Sequence, residues 1–150
     1  MISQCYKMIN LNEILIKRIS KNDLQKVIDI LQEISVYRPA KIKHESIWES
    51  YSNQQNIFGY CFFYNRKLIG YGSINLEMKL KKGLMAYIED IVVHKNFQNK
   101  KIGKLIVNHL ISIAKKANCY KIKLDCSNDK LPFYEKLGFK ENGFSMVKSL

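Results

Sequence analysis

The feature that most constrains the fold is a strand-like segment that leads through a short basic loop into a long amphipathic helix. The strand segment, Leu84–His94, ends in an apolar run, and the loop after it reads KNFQNKK. Apolar side chains then recur at helical spacing; they are Ile102, Leu105, Ile106, Leu110, Ile113, Ala114 and Ala117. A strand that enters a helix directly presents unpaired backbone N–H groups at an electropositive helix terminus, which is a common phosphate or pyrophosphate site. The unit therefore predicts a mixed α/β fold with an anion site at this turn, although the loop could also be only a solvated basic turn.

The rest of the chain shows further strand and helix patterns around this unit. We predict a strand over 13–19, a helix from Leu24 to Arg38-Pro39, a helix over His44–Ser52, strands over 57–64 and 67–77, a strand over Tyr120–Cys126, a helix over Lys130–Leu137 and a last strand over Phe139–Val147. Asn65-Arg66 would form the tight turn of a hairpin. The expected order is β-α-α-β-β-β-α-β-α-β.

The net charge of +12 raises the alternative of a small nucleic-acid-binding domain. The lysines are scattered, however, and arginine, which reads bases with a planar fork, occurs only as Arg18, Arg38 and Arg66. We therefore expect no nucleic-acid partner. Strong, salt-dependent binding to DNA would favour the alternative.

Length, composition and motifs also predict the number of domains, the location of the protein and whether it binds a metal. The 150 residues are expected to form one domain. No apolar run approaches the roughly 18 residues that span a bilayer, and the N-terminal segment lacks the features of a secretory signal, so we expect a cytoplasmic protein with no membrane partner. Cys5, Cys61, Cys119 and Cys126 form no C-x-x-C pair and have no histidine at a ligand spacing, so no metal is expected.

Two familiar phosphate motifs are missing from the basic loop. Gly103-Lys104 is followed by leucine and lacks the upstream glycine of a P-loop, and no G-x-G-x-x-G occurs. The segment Gln98-x-x-Lys101-x-Gly103 instead resembles the coenzyme A loop, (Gln/Arg)-x-x-Gly-x-(Gly/Ala), of the GNAT acetyltransferases, with Lys101 in the place of a glycine. The wider set of IEDIVV (88–93), KKIGKLIV (100–107), NCYKIKLDCS (118–127), FYEKLGF (133–139) and Gly143-x-x-Met146 resembles the glucosamine-6-phosphate N-acetyltransferases of that superfamily.

This resemblance implies a fold, a reaction and an assembly. The fold would be the GNAT acyl-CoA N-acyltransferase fold, a mixed, mostly antiparallel splayed sheet flanked by helices. Acetyl-CoA, the co-substrate, would enter where two parallel strands part and would acetylate the 2-amine of D-glucosamine 6-phosphate by direct attack. N-acetyl-D-glucosamine 6-phosphate and CoA would result, on the pathway to UDP-N-acetylglucosamine. The protein would be a homodimer with shared active sites, its C-terminal strand packed on the partner. A GNAT enzyme for another primary amine, such as a protein N-terminus, a polyamine or an antibiotic, is the alternative.

The resemblance also implies where coenzyme A binds. Backbone amides along Ile91–Val93 would hold the pantetheine and polarise the thioester carbonyl, and those of Gln98–Gly103 would hold the pyrophosphate. The expected cofactor-binding set is Asp90, Ile91, Val92, Val93, Gln98, Asn99, Lys100, Lys101, Ile102, Gly103, Lys104, Phe133 and Tyr134.

Three residues are expected to act in the chemistry. Tyr134 would protonate the leaving thiolate, since a phenol and a thiolate are of similar basicity; otherwise it is a buried aromatic. Asp125 would accept the proton of the amine, or would only cap the following turn. Glu89 would orient the substrate through water. Because alternate side chains of a regular strand point to opposite faces, Glu89 and Asp90 are predicted not to form one catalytic pair.

The sugar phosphate is expected to meet a second set of residues. By resemblance these are Ser35, Glu77, Lys79, Glu89, Asp90, Asn118, Cys119, Lys121, Asp125 and Lys148. The C-terminal arginine of the family has no counterpart at Ser149. The nearby Lys148 would face the opposite way in a strand, so the phosphate ligands are the least specified part of the site.

Overall fold

The computed structural model describes residues 8–150, so Cys5 lies outside the described part. The strands are β1 (Leu15–Arg18), β2 (Ile57–Tyr64), β3 (Lys67–Lys79), β4 (Gly83–Val93) and β5 (Lys121–Leu124). The helices are α1 (Leu24–Leu31), α2 (His44–Ser52), α3 (Ile102–Lys116) and α4 (Leu131–Glu135). The strands and helices follow the predicted order up to α4.

The strands form a five-stranded sheet in the order β1-β2-β3-β4-β5. The first three pairings are antiparallel, and β4 pairs with β5 in parallel. The hairpin between β2 and β3 turns at Asn65 and Arg66, whose φ angles of 47° and 64° are those of the tight turn that matches strand twist. The mixed, mostly antiparallel sheet flanked by helices is thus confirmed.

β4 and β5 part before β4 ends. Their pairing stops at Ile88 opposite Leu124, whereas β4 continues to Val93. Because β5 ends at Leu124, the last residues of β4 face an opening on that side instead of a neighbouring strand. This opening lies directly before the loop that leads into α3.

Helices cover both faces of the sheet. On one face α3 packs closely, since a Cβ placed on Gly70 or Gly72 would lie 2.7 Å from the Ile106 side chain. This face holds the larger apolar cluster, which includes Ile74 and Ile88. On the other face, α1 residues pack in a second cluster with Tyr71 and Val92.

Two sequence predictions are wrong, the end of α1 and the presence of a last strand. α1 ends at Leu31 and not at Arg38-Pro39, because the chain leaves the sheet there and Ile34 is 52% exposed. The last predicted strand, over Phe139–Val147, does not form. Within residues 8–150 that segment pairs with no strand, and Phe144 and Met146 are each 94% exposed.

Across residues 8–150, no helix is both long enough and apolar enough to cross a membrane.

Candidate active site

A bulge interrupts β4 at Asp90, beside the opening between β4 and β5. Tyr71 of β3 pairs with Val92, but Ser73 pairs with Glu89, so β4 carries one extra residue. Asp90 takes it up with a left-handed φ of 53°, a conformation that is costly for any residue with a Cβ. Strained backbone of this kind is typical of functional sites.

The bulge also changes which side chains share a face. Ile88 and Ile91 pack with the apolar cluster under α3, whereas Val92 packs with the cluster under α1. Regular alternation therefore fails between Glu89 and Val92. The predicted separation of Glu89 and Asp90 onto opposite faces was wrong in its premise, because it assumed a regular strand.

The loop after β4 presents backbone N–H groups at the start of α3. Asn99 and Lys101 have left-handed φ angles of 59° and 65°, and the Gln98 side chain donates to the Val93 carbonyl at 3.3 Å. The Leu105 N–H donates to the Lys101 carbonyl at 3.1 Å, so the N–H groups just before it in this first turn have no intrahelical acceptor. These groups and the helix dipole favour an anion here.

α4 lies against this turn. A Cβ on Gly103 would stand 3.4 Å from the Phe133 ring and 3.9 Å from Val93, an ordinary van der Waals contact. The neighbouring Tyr134 ring lies 4.9 Å from that of Phe133 and 5.9 Å from that of Phe139, between ring centroids. Burial raises the pKa of Tyr134, so its phenol stays protonated at neutral pH and can donate a proton.

A polar surface extends over β3, β4 and β5 on the face of the sheet opposite α3. The strand register aligns Glu77 with Met85 and Met85 with Lys121 in one row, and Asn75 with Tyr87 and Tyr87 with Lys123 in the next. We call this surface the acceptor face; its polar residues are Asn75, Glu77, Lys79, Tyr87, Glu89, Lys121, Lys123 and Asp125. It combines carboxylates with lysines and adjoins the opening between β4 and β5.

Hydrogen bonds order the β3 part of this acceptor face. Asn56 donates to Asn75 at 2.6 Å, and Asn75 donates to Glu77 at 2.8 Å. Lys79 forms an ion pair with Glu77. The chain of bonds holds Glu77 and Lys79 side by side.

Acidic groups also lie on the acceptor face where β4 and β5 part. The Tyr87 hydroxyl donates a hydrogen bond to Asp125. Partial burial, followed by the charges of Asp90, Glu77 and Asp125, raises the pKa of Glu89. Burial likewise raises the pKa of Asp90. An array of this kind attracts a cationic amine and provides oxygens that can accept its proton.

Comparison with known proteins decides the family. The sequence model of the Acetyltransferase (GNAT) family matches residues 24–139. The chain belongs to the GNAT acetyltransferase family. Members of this family use acetyl-CoA, and the opening beside the turn at 98–104 is where the present fold offers free backbone groups to it.

Several similar proteins share a name. A glucosamine 6-phosphate N-acetyltransferase of Schizosaccharomyces pombe is 43% identical over 83 residues, which are 54% of this chain and 75% of that protein. Its counterpart in Candida albicans is 42% identical over 82 residues, covering 53% of this chain and 55% of the relative. The crystal structure of the glucosamine-6-phosphate N-acetyltransferase from Arabidopsis thaliana matches with a TM-score of 0.82 at 28% identity, covering 91% of this chain and 97% of that chain. In sequence, the match thus spans about half the length of the Candida albicans relative.

Several predicted residues of this GNAT protein lie together in the structure. The predicted coenzyme A residues of β4 and of the 98–104 turn adjoin each other through Gln98, and Phe133 reaches Gly103. Glu77, Lys79, Glu89, Lys121 and Asp125 all belong to the acceptor face. Their predicted roles in binding and catalysis stay predictions.

Other predicted residues have local structural partners instead. Ser35 is exposed after α1, and its hydroxyl accepts from the Tyr37 N–H at 3.2 Å. Asn118 has a left-handed φ of 58°, and the N–H groups of Asn118 and Cys119 bond the carbonyls of Lys115 and Ala114. These two bonds form a Schellman motif that ends α3. Lys148 is exposed in the C-terminal segment.

Sequence reasoning missed three members of the acceptor face, which are Asn75, Tyr87 and Lys123. A period of two in KIKLD places Lys121, Lys123 and Asp125 on one face, which would have identified Lys123. Nothing local indicates the partner of Tyr87, because Asp125 is 38 residues away.

A metal site finds no support in the described part of the chain. Within residues 8–150, no group of three or more His, Cys, Asp or Glu side chains is arranged to hold a metal ion.

Proposed function

We propose that this chain transfers the acetyl group of acetyl-CoA to the 2-amine of D-glucosamine 6-phosphate. One observation carries the proposal. The opening between β4 and β5 leads at one end to the N–H groups of the 98–104 turn, and its rim carries the carboxylates of the acceptor face. A thioester arm lying along β4 would thus point its pyrophosphate at α3 and its acetyl group at these carboxylates. The choice of glucosamine 6-phosphate as the amine is based on the names of the relatives.

The proposed reaction is direct transfer. The neutral amine nitrogen bonds to the thioester carbonyl carbon, and the carbonyl oxygen takes up negative charge against backbone N–H groups of Ile91–Val93. The C–S bond then breaks, the nitrogen loses a proton to Asp125 or to water, and the thiolate takes a proton from Tyr134. The balance is one neutral amine and one thioester giving one amide and one thiol, with the proton lost by the nitrogen replacing the one that Tyr134 gives up. A substrate that arrives as an ammonium releases one further proton to solvent before the attack.

The acceptor face supplies groups for the substrate. The carboxylates of Glu89 and Asp125 attract the ammonium, and the cations Lys79, Lys121 and Lys123 are candidate ligands for the phosphate. Lys79 already shares its charge with Glu77, so we assign the phosphate chiefly to Lys121 and Lys123. The earlier candidates Ser35, Asn118, Cys119 and Lys148 would join from loops or from a second copy of the chain.

A homodimer is part of the proposal. The C-terminal segment exposes Phe144, Met146, Val147 and Leu150, each at 90% or more, and among residues 8–150 β5 forms an edge of the sheet. Exposed apolar side chains beside an unpaired edge favour burial against another chain. We propose that the segment packs on a second copy and completes its acceptor face. The place in UDP-N-acetylglucosamine synthesis and the cytoplasmic location stay predictions.

The test measures thiol release from acetyl-CoA with a panel of amines. Glucosamine 6-phosphate is expected to be acetylated most efficiently, ahead of glucosamine, a polyamine, an aminoglycoside and a peptide N-terminus. Acetylation of another amine but not of glucosamine 6-phosphate would refute the substrate and leave the family assignment intact. Tyr134→Phe is expected to lower kcat while leaving the KM for acetyl-CoA largely unchanged, and wild-type turnover in that variant would remove Tyr134 from the reaction.

A further inference from the structure

Tyr87 occupies a central place on the acceptor face. It lies in the middle of β4, opposite Asn75 of β3 and Lys123 of β5. Its hydroxyl reaches past the end of β5 and donates to Oδ2 of Asp125. The bond therefore ties β4 to the residue that follows β5, at the point where the two strands part.

The hydrogen bonds of Asp125 leave one of its oxygens available. Besides Tyr87, the Ser145 hydroxyl donates to the same Oδ2 at 3.4 Å. Within residues 8–150, the recorded hydrogen bonds of this carboxylate all end on Oδ2. Oδ1 is thus free to accept a bond from a ligand on the acceptor face.

The Tyr87 hydroxyl is a permanent donor to this carboxylate. Burial is the first cause that raises its pKa far above the usual value, followed by its bond to Asp125 and by the charges of Asp125, Glu89 and Glu77. The phenol consequently keeps its proton across the range in which an amine is acetylated. It cannot exchange roles and act as a base.

We propose that Tyr87 is a positioning residue, which fixes Asp125 through Oδ2 so that Oδ1 faces the amine of the acceptor. This inference rests on the proposed amine acetylation. Tyr87 acts only through Asp125, whose exposed carboxylate would otherwise keep only the longer bond from Ser145. The loss of one positioning hydrogen bond then lowers the rate of the chemical step but does not change coenzyme A binding.

A double-mutant cycle tests this coupling. Kcat and both KM values are measured for the wild type, Tyr87→Phe, Asp125→Ala and the double variant. Tyr87→Phe is expected to lower kcat about threefold to tenfold with an unchanged KM for acetyl-CoA. In the Asp125→Ala background the same substitution should change kcat less than about twofold, because the acceptor of the bond is already gone.

Tyr120→Phe is the matched control. It removes the same hydroxyl from a neighbouring position, where, among the described residues, that oxygen is buried without a hydrogen-bond partner. It should leave kcat and both KM values unchanged. Thermal melting of every variant shows whether the fold persists, and Tyr87→Leu provides a second variant without the hydroxyl if Tyr87→Phe does not fold.

Two results would overturn the inference. One is an unchanged kcat in Tyr87→Phe; the other is an equal loss in both backgrounds, which a merely structural role would produce. If the wild type acetylates a different amine and not glucosamine 6-phosphate, the cycle is measured with that amine. The substrate proposal then fails, and the coupling between Tyr87 and Asp125 still decides the present inference.

Discussion

Lys101 occupies a backbone position that suits glycine, and its replacement gives a quantitative test of the turn. Lys101 precedes α3 with φ 65° and ψ 8°, in the left-handed region. That conformation costs a residue with a Cβ about 1–2 kcal/mol, whereas glycine adopts it freely but loses about 0.5–1 kcal/mol more backbone entropy on folding. Lys101→Gly should therefore raise the free energy of unfolding by about 0.5–1 kcal/mol from the backbone alone.

The lost charge must be separated from the backbone effect. A cation at a helix N-terminus is unfavourable by about 0.3–1 kcal/mol, so Lys101→Ala removes that repulsion but keeps the left-handed cost. The comparison that isolates the backbone is Lys101→Gly against Lys101→Ala. Lys104→Gly lies within the first turn of α3, where glycine has no such advantage. Against Lys104→Ala, it should lower the free energy of unfolding by about 0.5–1 kcal/mol.

The assay is urea and thermal unfolding followed by circular dichroism. Lys101→Gly should melt about 1–4 °C above Lys101→Ala, given the usual relation between the free energy of unfolding and Tm for a domain of this size. A glycine variant no more stable than the alanine variant would refute the reasoning. It would mean that residue 101 is not left-handed in solution. The backbone N–H groups of the 98–104 turn would then not have the arrangement that the proposed pyrophosphate site requires.

Three further predictions concern packing, pH and charge. Gly70→Ala should lower the free energy of unfolding by about 1–3 kcal/mol, because its Cβ would lie 2.7 Å from Ile106 Cδ1. The loss should be smaller in an Ile106→Val background, which lacks that methyl group, and an equal loss in the two backgrounds would contradict the prediction. Burial lowers the pKa of His109 below 6.5 in the folded protein. The unfolded chain therefore binds the proton more readily, and the free energy of unfolding should fall as the pH drops below 6.5. His109→Gln should lack this fall, and an identical pH profile in both proteins would contradict the prediction. Lys123→Gln should raise the KM for glucosamine 6-phosphate about threefold to tenfold and change that for glucosamine little; equal effects on both amines would remove Lys123 from the phosphate site.

Much of the fold could be read from local patterns. α2 begins and ends at the predicted residues, His44 and Ser52, and β2 covers the predicted range 57–64. The Asn65-Arg66 turn was also predicted, since two-residue hairpin loops favour residues that tolerate positive φ. These features depend on residues that are close together in sequence, so the sequence alone is enough to predict them.

The same reasoning failed where distant residues decide the outcome. The segment Phe139–Val147 is predicted to be a strand, but a strand forms only where another strand provides hydrogen-bond partners. Within residues 8–150 none does so for this segment. Asp90 looks like a regular strand residue until the register of β3 shows an extra residue beside it. Both errors concern pairing, which local periodicity does not encode.

The candidate site divides along the same line. By itself the sequence determined the strand–turn–helix unit, the basic turn and the family resemblance, because each lies in contiguous motifs whose spacing can be read without coordinates. Tertiary structure alone decided that β4 and β5 part at Ile88, that Asp90 bulges, and that Tyr87 bonds Asp125. The physical reason is that periodicity specifies which face a side chain occupies, whereas sheet register specifies which residue it meets there.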